Sequence, residues 1–161
     1  MINRVTEMLT HEGATFDLIR HRRVITAQER AAACHISGRS LAKVVVVQDA
    51  TDDWFALAVV PAASALDVVA LREVTGRPRL RVAREPEFAR LFPDCDLGAM
   101  PPFGRLYGGL DVFVDRTLAE TPELVCEAGA HDEELRMPMS EYLRIERPDV
   151  VAITPRRRVA A

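Results

Sequence analysis

Three short stretches of this 161-residue chain carry residue types able to do chemistry. The first is LGAMPPFG, residues 97–104, in which two glycines bracket two consecutive prolines. Proline removes a backbone N–H and fixes φ, so the stretch is a poor helix and an equally poor central strand. As a plain corner it needs no further role. As part of a site, Gly98 lets backbone approach a ligand closely while the prolines keep neighbouring amides in place. Such amides stabilise an oxyanion or orient a water. The second stretch is LAKVVVV, where Lys43 enters an apolar strand either as a boundary residue with its charge in water or as a cation for a phosphate or carboxylate. The third is EAGAHDEEL, a Gly-rich turn whose His131 is either merely exposed or placed to hydrogen-bond a substrate or move a proton.

Other chemistries lack their signatures. No GxSxG occurs, and Ser37, Ser40, Ser64 and Ser140 have no telling context, so a hydrolase here uses water as its nucleophile. No GxGxxG follows a strand and no GxxxxGK[ST] is present, which disfavours nucleotide-cofactor chemistry. The three cysteines, Cys34, Cys95 and Cys126, are scattered and form no CxxC pair. Cys34 and His35 diverge around a helix and have no evident partner cluster in the sequence. No metal and no cofactor are expected.

Composition is that of an ordinary globular domain, 48% apolar and 28% charged, with a formal net charge of −3. The length suits one domain over residues 1–155 with a basic tail at 156–161. No apolar run reaches the roughly 18–20 residues of a membrane span, and the first residues lack the apolar core of a signal peptide, so the expected location is cytoplasmic, with no membrane partner. Net acidity argues against a general DNA binder, yet positive charge is clustered at 20–23, at Arg77, Arg79, Arg81 and Arg84, and at 156–158. In an extended segment Arg77, Arg79 and Arg81 share one face, as a charged edge strand or as a patch for an RNA backbone.

The elements that must position these residues alternate irregularly. A helix is predicted over about 2–12, stopping near Gly13, followed by a strand in TFDLIRH. Thr26 and Glu29 have capping-box spacing ahead of an alanine-rich helix that ends before Gly38. LAKVVVVQDATDDWFALAVVP reads as a hairpin with DATDD as its turn. A helix capped by Ser64, an extended RPRLRVA and a short helix in EPEFARLF follow. Beyond the proline loop come strands in LDVFVD, ELVCEAG and ELRMPM, a helix in SEYLRIE and a last strand in DVVAITP. This pattern predicts an α+β domain whose mixed sheet is strongly curved and barrel-like, with helices around it.

Taken in order, TAQERAAACHISGRSLAKVVVV, LAVVPA, GAMPPFG and EAGAHDEELRM resemble the YbaK/prolyl-tRNA-editing domain family from about Thr26 to Ile153. The resemblance implies the YbaK-like fold and a trans-acting aminoacyl-tRNA deacylase that hydrolyses the ester of a mischarged tRNA. It implies no cofactor, with the aminoacylated tRNA 3′ end as partner and a synthetase as a further one. By this resemblance Lys43 holds the terminal adenosine and its phosphate, and Gly98 and Pro102 match a GxxxP loop whose backbone positions the ester and water. Gly129 and His131 match a glycine-containing turn near the substrate amino group and carbonyl. Lys43, Gly98 and His131 are the catalytic candidates; Ala99, Met100, Pro101, Pro102, Phe103, Gly129 and Ala130 are the substrate-binding ones. Ala130 departs from the small hydroxyl-bearing residue common at its position. The expected substrate is a small amino acid, alanine or cysteine on tRNA(Pro) ahead of serine and threonine. Two alternatives stand beside this reading: a non-catalytic module that binds tRNA ends or a synthetase, and a hydrolase of free amino-acid esters.

Overall fold

A computed structural model describes residues 3–156. Helix α1 (Arg4–His11) begins at Asn3, whose side chain accepts from the Val5 amide, and buries Val5 and Leu9. Strand β1 (Asp17–Arg20) leads into α2 (Ala27–Cys34). Thr26 and Glu29 close the expected capping box there, satisfying amides that the first turn leaves unpaired. The helix ends sooner than Gly38, at His35 in the left-handed region. The hairpin β2 (Ala42–Asp49) and β3 (Trp54–Pro61) runs in full register, Ala42 opposite Pro61 and Asp49 opposite Trp54. Helix α3 (Val68–Thr75) is capped by Asp67 rather than Ser64, because the Asp67 amide is already tied to the Ile153 carbonyl at 2.7 Å.

The rest of the chain supplies β4 (Arg81–Val82), α4 (Glu85–Phe88), β5 (Asp111–Asp115), α5 (Arg116–Ala119), β6 (Glu123–Glu127), β7 (Glu133–Pro138), α6 (Met139–Glu146) and β8 (Asp149–Val151). They form two sheets: a three-stranded one ordered β1-β7-β6 and a five-stranded one ordered β4-β2-β3-β5-β8. Together with the helices they make a mixed α+β fold of two sheets, and neither sheet closes. The expected strongly curved, barrel-like sheet is therefore replaced by two open sheets. Among the described residues they are linked by the parallel bridge from Leu41 to Val125, where Val125 N–H reaches the Ser40 carbonyl at 3.2 Å. One bridge cannot carry a ladder, so β6 remains an edge rather than a barrel seam.

Alternation along β2 and β3 separates two cores. Ala42, Val46, Leu57 and Val59 pack with Phe92, Met100, Phe103 and Leu135 in the larger core, which the three-stranded sheet covers. Val47, Ala58 and Val60 pack with Leu71 and Leu80 under α3. The expected arginine stripe does not form, since β4 is only two residues long and Arg77 precedes it in a turn. Arg77 lies over the Trp54 ring at 4.1 Å and pairs with Asp52 at 2.9 Å, while Arg81 pairs with Glu87. These cations are used within the chain. The arginines at 157 and 158 lie outside the described residues. Among the described residues no helix is long and apolar enough to cross a membrane.

Glu146, the last residue of α6, keeps a buried Oε2 without a hydrogen-bond partner, and burial pushes its carboxyl up to about 7. Between its ordinary value and about 7 the folded chain retains a proton that the unfolded chain has released. Stability therefore falls as pH rises through that window. Glu146→Gln should flatten this fall, read as urea midpoints of variant and wild type at about pH 5 and pH 8. Parallel pH profiles for the two proteins would contradict it.

Candidate functional site

The proline loop and the Gly129–His131 turn are stitched together by backbone. Asp96 N–H donates to the Gly129 carbonyl at 2.8 Å, and Gly129 N–H donates back to the Ala99 carbonyl at 3.0 Å. His131 N–H reaches Asp96 Oδ2 at 3.2 Å, and Arg23 holds the same oxygen at 3.1 Å. Gly98 and Gly129 both have positive φ, 88° and 105°, which bends the two segments toward each other at little cost for glycine. Ala99, Met100, Pro101, Pro102 and Phe103 are buried, with Pro102 anchored by the Tyr142 hydroxyl at 2.8 Å. Only the Leu97–Gly98 end of the loop is exposed. Its Gly98 amide donates to the Met100 thioether at 3.2 Å, a weak acceptor that a developing oxyanion would outcompete.

His131 is buried, contrary to the habit of turn histidines, and both ring nitrogens are engaged. Nε2 lies 3.0 Å from the Leu97 carbonyl, and since a carbonyl only accepts, Nε2 carries a hydrogen. Nδ1 faces Glu127 Oε1 at 3.2 Å, so a proton lies between the imidazole and the carboxyl. Burial pushes the Glu127 carboxyl up, with the neighbouring Arg30 acting in the opposite sense. The ring thereby props the loop from below: a Cβ on Gly98 would meet His131 Cε1 at 3.6 Å.

Beneath His131 lies a charge network that motif reading missed. Arg30 of α2 makes two bonds to Glu134, 2.7 and 2.9 Å, a third to the Ala42 carbonyl at 3.2 Å, and stands 3.5 Å from Glu127. Glu127 and Glu134 face each other directly across β6 and β7, a like-charged pair that needs the guanidinium between them. The available signal was a pair of glutamates in each of two strands and a lone arginine in an alanine-rich helix.

Lys43 stands apart from these contacts. It is opposite Val60 in the hairpin, in register with the α3 side of the sheet, one residue from Ala42 and the Arg30 bond. Half-burial lowers the pKa of its ammonium, and among the described residues no carboxylate lies within 4 Å of it. Ala130 is half-buried beside Gly129 and offers no hydroxyl. A cleft of about 440 Å³ lined by Asp49, Thr75, Arg77 and Arg79 lies at the opposite end of β2, where Arg77 is already paired.

The family model described as the aminoacyl-tRNA editing domain matches residues 21–145. The Multifunctional Ser/Thr-tRNA deacylase ProXp-y of Escherichia coli (strain K12) is 30% identical over 154 residues, covering 92% of this chain and 89% of that protein. The protein of the same description from Escherichia coli O157:H7 matches equally. A solved structure of hypothetical protein APE2540 has the same fold, with a TM-score of 0.85 at 24% identity, covering 94% of this chain and 99% of that one.

Proposed function

Since the chain belongs to the aminoacyl-tRNA editing domain family, whose activity is deacylation of aminoacyl-tRNA, we propose that its loop–turn seam hydrolyses the ester of a small amino acid mischarged on a tRNA. The observation that carries this reading is the Gly98 amide, exposed on a loop that the Gly129–His131 turn fixes and bonded only to a thioether. An aminoacyl ester already has its leaving oxygen on a ribose with a neighbouring hydroxyl. A site acts on it by placing ester and water together and by stabilising the oxyanion, without a protein nucleophile. Gly98 donates to that oxyanion. His131 positions Gly98 through Leu97, its ring nitrogens being committed to the protein. Lys43, a half-buried cation with no carboxylate beside it, takes the phosphate of the terminal adenosine. Ala99, Met100, Pro101, Pro102 and Phe103 back the pocket, and Gly129 and Ala130 line its far side.

The attached amino acid belongs to the set alanine, cysteine, serine and threonine. The resemblance alone favours alanine or cysteine on tRNA(Pro); similarity to a Ser/Thr-tRNA deacylase favours serine and threonine over them. A pocket separates such side chains by only about 1–3 kcal/mol per methylene, which favours a second sieve separate from a synthetase. A synthetase that hands over the tRNA is the further partner.

Wild-type protein should release the amino acid from one or more of Ala-, Cys-, Ser- and Thr-tRNA and leave the matching free aminoacyl esters nearly untouched. Its rate should fall steeply with salt, as phosphate contacts require. Binding of all four without turnover would overturn this reading in favour of a binding module. Equal rates on free esters would make it a small-molecule hydrolase.

A further inference from the structure

Beside the charge network three donors of different chemistry converge. His21 follows β1, Cys34 is the last residue of α2, and Glu134 lies in β7. One ligand atom from each lies within 4.8 Å of the other two. The His21 side chain is only 6% exposed and that of Glu134 only 1%, and Cys34 is buried.

His21 carries the decisive feature. Its Nδ1 lies 2.6 Å from the Arg22 carbonyl, an acceptor only, so Nδ1 bears a hydrogen and Nε2 is the nitrogen left to offer its lone pair to a metal. That Nε2 is buried and has no hydrogen-bond partner among the described residues. The atom it faces, Glu134 Oε1, is 3.7 Å away, past hydrogen-bond reach and itself rich in lone pairs. A buried acceptor left this way is costly, and backbone pins it there, His21 N–H donating to the Asp132 carbonyl at 3.0 Å. A ring nitrogen oriented by a backbone carbonyl on its other nitrogen is the arrangement metal-binding histidines use.

We propose that His21, Cys34 and Glu134 form a site for a zinc-type divalent cation, with water as the fourth ligand. Nitrogen, thiolate and carboxylate together select a borderline-soft tetrahedral ion over magnesium or calcium. Charge points the same way: the shared proton leaves the His131–Glu127 pair neutral and Arg30 offsets Glu134, so the Cys34 thiolate adds one negative charge that a cation meets. The two Arg30 bonds to Glu134 hold the ligand carboxylate while leaving each oxygen a free lone pair. Around the cluster stand Cys126 and Arg136, the latter held by Glu123 at 3.0 Å. On binding, the Cys34 S–H bond breaks, sulfur keeps the electron pair for the metal, and the proton leaves to solvent. The ion would clip the end of β1 and the end of α2 onto β7. The neighbouring His35, the natural partner of Cys34 in sequence, is exposed and takes no part.

The test is spectroscopic and independent of deacylation. Full-length protein, reduced and freed of metal with a chelator, is titrated with Co²⁺ and then with Zn²⁺. A thiolate-to-cobalt charge-transfer band should saturate at one ion per chain, and Zn²⁺ but not excess Mg²⁺ should displace it. Cys34→Ser should lose the band and Cys95→Ser should keep it. His21→Gln, which leaves all the thiols in place, should weaken Co²⁺ binding by at least the roughly 10–100-fold that losing an outer-shell partner costs. Absence of the band in wild type, its persistence in Cys34→Ser, or wild-type affinity in His21→Gln would each overturn the site.

Discussion

Gly98→Ala should lower the deacylation rate by about 10²–10³-fold, the typical loss when one oxyanion donor is misplaced. The cause is conformational. Gly98 has φ +88°, which a residue with a Cβ occupies only under strain of roughly 1–2 kcal/mol. Space is not the difficulty, since the nearest atom to the new methyl, His131 Cε1, is at an ordinary 3.6 Å. The alanine relieves its strain by rotating its own peptide, which turns the amide away from the ester. Gly13→Ala supplies the control: Gly13 has φ +67°, nothing within 4 Å of a built Cβ, and no contact with the loop. Both variants should lose similar stability in urea, and only Gly98→Ala should lose rate. Equal rates for the two would show that the amide has no part in catalysis.

Arg30→Met should destabilise the fold by about 3–5 kcal/mol, the usual result of removing one partner from a buried ionic cluster. Arg30 is 3% exposed and is the cation between Glu127 and Glu134, which face each other across two strands. Without it, two carboxylates remain buried side by side. Glu127 already has a raised pKa from burial, so the orphaned pair can recover by taking up a proton as pH falls. The penalty should be largest at about pH 8 and shrink toward pH 5. Arg30→Lys should fall in between, because an ammonium keeps the charge and loses the two-pronged bond. Urea midpoints at both pH values decide it, and a loss under about 1 kcal/mol at pH 8 would mean that the network contributes little. The same variant bears on the site, because Glu127 carries His131, and His131 carries Leu97.

What sequence made legible was local. The Thr26–Glu29 box, the valine hairpin and the stop of α1 near Gly13 depend on neighbours a few residues away, and the structure has all three. The proline loop and the histidine turn were legible as separate motifs, since glycine and proline mark unusual backbone wherever they fall. Their union was not, because it rests on backbone bonds such as Gly129 to Ala99 that no residue type encodes. The barrel expectation failed for a related reason. Strand count and spacing do not reveal that β6 meets the start of β2 at a single bridge. Asp67 displaced Ser64 as a cap through a contact with Ile153, 86 residues on. Arg30 and His21 give no local signal, because Glu134, which both face, sits more than a hundred positions away.

Lys43 is assigned to the tRNA end by the resemblance, while the register sets it toward the α3 side of the sheet. The decisive measurement compares single-turnover hydrolysis by wild type and Lys43→Ala on whichever of Ala-, Cys-, Ser- or Thr-tRNA the parent cleaves fastest. Circular dichroism and urea unfolding are recorded on the same samples. The expected result is an intact fold, a rate reduced by at least about 10²-fold, comparable to losing a transition-state donor, and a shallower salt dependence. Wild-type turnover with the parent's salt slope would contradict it, leaving the loop–turn seam without its proposed anchor for the substrate.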